Sequence, residues 1–190
     1  MINKDAFEKL HIELSLKAKN GMDFILAASI VWLAVTYVWT LEFSSYNKAV
    51  ITFIVGSFML PLAILFSKIL KTQWTIASNP LQPLGLWLNF AQLFYFPFLI
   101  FILIKMPDHF VMVYVIITGA HFFPYAWFFK AVPYAVMAGV ISIGSLLIEL
   151  IIKPEDAYLV PLFMTASLLV LLISLYVLYR NRKVKYGVTE

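Results

Sequence analysis

The chain contains no cysteine, which excludes disulfides, thiolate metal sites and a cysteine nucleophile, and leaves its redox compartment unmarked. Charge is scarce as well. Asp, Glu, Lys and Arg make up 13% of the residues, where soluble domains carry about a quarter. Of three histidines only His121 falls deep inside an apolar run, so haem held between helices lacks a second ligand. No HExxH, P-loop, GxGxxG or paired acidic motif occurs. Asp23 and Asp108 both lie at the ends of apolar runs, which denies intramembrane aspartyl proteolysis its two embedded carboxylates. Gly144-Ser145 has no histidine at its own depth, so intramembrane serine proteolysis is unsupported too. No catalytic residue, metal ligand or cofactor is therefore assigned. Nucleic acid is not an expected partner either, because the basic residues border apolar segments instead of forming a groove with stacking aromatics.

What the chain has is apolar length. Hydrophobic residues make 63% of it, and its mean hydropathy is +0.91. Reading between the charges gives six runs, at 24–41, 49–66, 84–104, 110–129, 131–152 and 158–179. Each is close to the roughly 20 residues a helix needs to cross the hydrocarbon. The runs are continuous, not alternating, which argues against barrel strands. A helix also satisfies its own backbone groups where no water can. The predicted fold is all-α: a polytopic bundle of six transmembrane helices over residues 22–180, in a bacterial inner (plasma) membrane. The first run starts too late and is too long for a cleaved signal peptide.

Lysine and arginine set the orientation. Eleven fall in the N-terminal segment, the second loop, Lys130 and the C-terminal tail, against three (Lys48, Lys105, Lys153) in the alternate connections. Basic residues favour the cytoplasmic side, so the N-terminus and C-terminus are both expected there. Trp87, Trp127, Tyr176 and Tyr179 fall near the predicted inner interface, and Tyr37, Trp39, Tyr46, Tyr114 and Tyr158 near the outer one.

Residues 1–21 read either as an amphipathic helix on the inner surface, through Phe7, Leu10 and Leu14, or as a solvated terminus. Asn20-Gly21 would end that helix. Residues 181–190 read as a basic cytoplasmic tail. The one long loop, within "SKILKTQWTIASNPLQPLG", is interrupted by Pro80 and Pro83 and reads as a connector. Ala131, Ala135, Gly139, Ser142 and Ser145 form a small-residue stripe, expected to pack inside the bundle, with a homodimer seam as the alternative. His11 and His109 read as exposed. Glu149 reads as interfacial, reaching headgroups or Lys153, and Asp23 as complementing the dipole of the first span.

The chemistry converges on the stretch "GAHFFPYAWFF". At 1.5 Å rise per residue, His121 and Gln92 both lie about 12 Å from the inner ends of their spans, and Tyr125 and Asn89 about 6 to 7.5 Å. His121 and Tyr125 share a helix face, as do Asn89 and Gln92, so simple packing puts Gln92 by His121 and Asn89 by Tyr125. Pro124 frees the carbonyl of Ala120, and Pro61 that of Ser57, adding two helix irregularities.

The run "GAHFFPYAWFF", through Gly119, His121, Pro124 and Tyr125, resembles small uncharacterised bacterial multi-pass membrane proteins of the YoaS-like kind. That resemblance implies a membrane location and carries no activity. The residues themselves point to an inward-facing polar site for binding or passage of a small molecule, lined by His121, Tyr125, Gln92 and Asn89. A competing reading is an accessory or sensor protein whose polar side chains only clamp helices, docking on a membrane partner or a second copy. A lipid-modifying enzyme is a third.

Overall fold

The structure is a computed structural model and describes residues 4–187. Among them every regular element is helical: α1 (Lys4–Lys17), α2 (Met22–Thr40), α3 (Ser45–Gly56), α4 (Met59–Leu70), α5 (Gln82–Leu93), α6 (Phe96–Lys105), α7 (Phe110–His121), α8 (Phe123–Phe128), α9 (Val132–Ile151) and α10 (Leu159–Lys185), with short 3-10 turns between some of them. Taken with their junctions, α2, α3–α4, α5–α6, α7–α8, α9 and α10 form six segments long and apolar enough to cross a membrane. The all-α bundle follows from six continuous apolar runs.

Three spans are composite, and each breaks just before a proline. The second is interrupted at 57–58 ahead of Pro61, the third at 94–95 ahead of Pro97, and the fourth at 122 ahead of Pro124. A proline has no N–H to give the carbonyl four residues back, and its ring pushes that turn open. Pro61 and Pro124 are the irregularities the sequence predicts; Pro97 adds a third that it passed over. At the first break the Ser57 hydroxyl donates to the Ile54 carbonyl at 2.7 Å.

Helix α2 is central, packed on α10, α4 and α3, while α7 packs on α9 and α9 on α10. Trp32, Val35, Val115, Ile141, Leu168 and Leu171 are buried between them. Lipid tails are as apolar as leucine, so close packing of helices, not escape from water, must hold this core together. Two glycines set the approach. A Cβ on Gly119 would collide with Ile141, and one on Gly144 would stand 2.5 Å from the Phe163 ring. The expected small-residue stripe on α9 is only partly used. Ala131 and Ser145 are buried, but a Cβ on Gly139 would meet nothing within 4 Å, so that glycine faces out of the bundle.

The end of the bundle that carries both chain ends is tied by polar groups. The chain reverses after α1 through Lys19, Asn20 and Gly21, all at positive φ. This folds α1 back onto the bundle. His11, expected exposed, is 1% exposed, and its ring Nδ1 lies 2.9 Å from the Phe128 carbonyl. The reversal brings residue 11 against residue 128, a contact no local pattern encodes. Buried Asn20 donates to the Leu175 carbonyl at 3.2 Å and accepts from Ser15 at 2.6 Å, and its own carbonyl accepts from Tyr134 at 2.7 Å. Helix α10 runs on to Lys185, so the first half of the expected tail, 181–185, is helical; positions 188–190 of that tail lie outside the described residues.

The 71–81 linker is pinned across the same end. Buried Asp23 accepts from Thr72 and from the Trp74 indole, the latter at 2.6 Å. The Gln73 N–H reaches the Lys17 carbonyl at 3.0 Å, and the Asn79 amide donates to Leu10 and Glu13, each at 2.9 Å. The bond from Lys17 holds the Glu13 carboxyl below its ordinary range. At the opposite end Glu149 pairs with His109 at 2.9 Å, not with Lys153, whose ammonium lies 3.7 Å from Glu155. The turn before α7 supplies a partner that spacing along α9 cannot.

Asp23→Ala should strand the Thr72 and Trp74 donors at a cost of about 2 kcal/mol, read as a lower thermal midpoint in detergent and faster protease cleavage within 71–81. Gly119→Val should lose about 1–3 kcal/mol by overpacking against Ile141. Gly139→Ala, by contrast, should leave stability unchanged or slightly raised.

Candidate functional site

The break at Phe122 sets the geometry. Pro124 ends α7 at His121 and restarts the helix at Phe123, while the Phe122 N–H turns to the carbonyls of Gly119 and Ala120. His121 and Tyr125 stay on one face, rings edge-on with centroids 5.3 Å apart. The Tyr125 hydroxyl donates to Asn89 Oδ1 at 3.1 Å and stands 3.4 Å from His121 Nε2. Asn89 Nδ2 donates to the Gly85 carbonyl of its own helix at 2.9 Å. Gly85 lets the helices meet here, since a Cβ on it would press to 2.9 Å against the Phe128 ring.

Counting protons fixes the direction of the chain. Tyr125 has one hydroxyl proton, given to Asn89, so the contact to His121 needs Nε2 to carry the proton. In the neutral ring Nδ1 is then a bare acceptor. Among the described residues it has no hydrogen-bond partner, and it is not sealed, unlike Glu149 Oε2, the one sealed and unpartnered side-chain atom found there. The Gln92 amide is in the same position: partly buried, unpartnered and not sealed.

Three of the four expected side chains therefore come together, and Asn89 meets Tyr125 as the depths predict. The pairing of Gln92 with His121 does not form. Depth matching at a fixed rise assumes straight helices, but both spans break beside these residues, at 94–95 and at 122. Of the two prolines, Pro124 is partly buried at the site, whereas Pro61 is exposed on α4, which packs on α2. The four side chains and two irregularities thus do not gather at one place.

The surroundings matter to what can reach these atoms. Helix α5 has no buried residue, and its main neighbour is α8. Packing between the second and third spans is concentrated between α3 and α6, while α4 lies on α2. Trp87, Phe90 and Phe94 line an apolar groove on the outer side of α5. No group of three or more His, Asp or Glu residues suited to a metal ion occurs among the described residues.

A second polar cluster, around Arg182, Asn20 and Ser15, was not foreseen as a site. Its sequence signals, Asn20-Gly21 and a basic C-terminal run, read locally as a helix end and a topology anchor. Nothing local links position 15 to position 182.

The chain belongs to a family of unknown function (DUF7010), whose profile matches residues 7–178. The match takes in most of α1 as well as the spans. No curated protein and no solved structure matches the chain.

Tyr125→Phe and Asn89→Leu should each lower stability by about 0.6–2 kcal/mol, and the double variant by no more than the larger single effect. Gln92→Leu should leave the thermal midpoint in detergent unchanged.

Proposed function

We propose that this multi-pass membrane protein resides in the bacterial inner membrane with both ends cytoplasmic, and binds a small amphipathic molecule in the inner half of the bundle beside α5. The observation that supports this most is the free Nδ1 of His121, the acceptor end of a hydrogen-bond chain that reaches α5, a helix with no buried residue. A hydroxyl or N–H of a ligand is the complement to that acceptor. Tyr125 and Asn89 hold the imidazole's tautomer and orientation, so the acceptor is presented without an ordering cost at binding. Gln92, also unpartnered, offers a second donor and acceptor one turn away. The long apolar walls of α4 and α5 suit an apolar body arriving sideways from lipid.

The orientation rests on the lysine and arginine asymmetry, which also places α1 at the cytoplasmic surface. A second reading has an observation of its own. Tyr125 and Asn89 satisfy one another, as members of a clamp do, and their bond is the main polar tie of α5 to the bundle. Under that reading the protein is an accessory or sensor whose third span answers to a partner.

The two readings part experimentally. Thermal unfolding of the purified protein should be followed against a panel of amphiphilic alcohols and amines. Binding predicts at least one saturable stabilisation that His121→Ala removes while the variant stays folded. If His121→Ala keeps every such stabilisation, or if none occurs and the variant only melts earlier, the clamp reading replaces it.

A further inference from the structure

Where α1, the turn between α8 and α9 and the end of α10 meet, the surface forms an open cavity of about 330 Å³. Lys130, Arg182, Lys185 and Tyr186 line it, with Glu8 as its one acidic group and Ile12 and Leu178 as apolar wall. Three cations therefore face one carboxylate. Glu8 is already engaged, its Oε2 3.3 Å from the Lys130 ammonium. Among the described residues Lys185 has no carboxylate partner, and it rests over the Tyr186 ring, 5.5 Å from its centroid.

Arg182 is the distinctive member. Its Nη1 donates to Ser15 Oγ at 2.5 Å and to the Phe129 carbonyl at 2.7 Å, and its Nη2 to the Lys130 carbonyl at 2.6 Å. Every one of these acceptors is neutral, so among the described residues the half-buried guanidinium has no carboxylate to pair with. Of its five N–H donors, the bonds to Ser15, Phe129 and Lys130 take three. The Nε–H and the second Nη2–H have no acceptor among the described residues. A guanidinium locked in place with two donors left over is a preformed fork for two oxygens of one anion. A clamp alone would need only the occupied donors.

We propose that this cavity binds a phosphate group, with the free donors of Arg182 taking two of its oxygens and Lys185 and Lys130 supplying flanking charge. The apolar wall suits a phosphate carried on an acyl chain, and the position beside the ends of the spans is where a lipid headgroup would lie; free phosphate has the same chemistry. This site is separate from the one at His121, and its test does not depend on that reading.

Arg182 also ties α10 to two other segments, so removing it risks the fold. The informative variant is Lys130→Gln with Lys185→Gln, which leaves the Arg182 bonds intact because Lys130 takes part in them only through its backbone carbonyl. A control, Lys68→Gln with Lys71→Gln, removes the same charge from the α4 end and the linker, outside the cavity. The full chain in neutral detergent is titrated with dioleoylphosphatidic acid and, separately, with inorganic phosphate, following the thermal midpoint. The expected result is saturable stabilisation whose half-point rises about 10-fold or more in the cavity variant and stays put in the control. Response to phosphatidic acid alone assigns the group to a lipid headgroup; response to both assigns it to free phosphate. Absence of saturable stabilisation, equal half-points for wild type and cavity variant, or an equal rise in the control overturns the proposal.

Discussion

A polar atom inside a bilayer has no water to turn to, and every feature of this bundle answers to that constraint. Most hydroxyls in the spans answer it locally. Ser29, Thr36, Thr118, Ser145 and Thr165 each donate to the carbonyl four residues back in their own helix, at 2.5 to 2.9 Å. These side chains are consumed by the helix that bears them and are lost to chemistry. Others reach across helices, the Trp39 indole to Thr52 and the Ser142 hydroxyl to the Ile116 carbonyl; His121, Tyr125, Asn89 and Gln92 keep polar atoms that their own backbone does not satisfy. The same accounting explains why the three broken spans break where they do, since each proline removes a donor that the backbone cannot replace.

At the end carrying both termini the constraint acts on helix ends instead of side chains. The last carbonyls of α8 and the turn after it, those of Phe128, Phe129 and Lys130, have no further turn of helix to bond to. His11 and Arg182 supply the donors. A cation there also complements the negative end of the helix dipole. Hydrogen bonds from a charged donor contribute roughly 1.5–3 kcal/mol each, more than neutral ones. Together with Asn20 and Tyr134 they join residues 11, 15, 20, 129, 134 and 182 into one knot, and Asp23 extends it to the linker. This is why α1 belongs with the bundle and not to the solvent.

Stability is unevenly shared as a result. Helices α2, α7, α9 and α10 hold the buried core, while α5 buries no residue and depends on one polar contact and the Gly85 approach. Elements with few buried contacts open at the lowest free energy, and functional movements draw on them. The His121 chain is the link between this weakly held helix and the rigid part. An occupant at His121, or a partner on the aromatic groove of α5, would act on the segment least anchored by packing.

The six spans were legible because span length is set by bilayer thickness and composition by lipid, both local properties of sequence. The kinks at Pro61 and Pro124 were legible for the same reason, as was the pairing of Tyr125 with Asn89, which needed only short offsets on adjacent antiparallel helices. Gln92 failed because a kink beside it and another beside His121 spoil any depth reckoned along straight rods. Asp23 does open the first span as expected, but the burial of His11, the partner of Glu149 and the ties made by Asp23 and Arg182 were not legible, because those partners stand 40 to 167 residues away and no periodicity records which chain segment folds over which. By itself the sequence determined that this chain crosses lipid as helices and two of the three places where those helices bend. Only the tertiary structure decided which polar atoms are satisfied and which are left free, because in a medium without water that depends on neighbours brought from far along the chain.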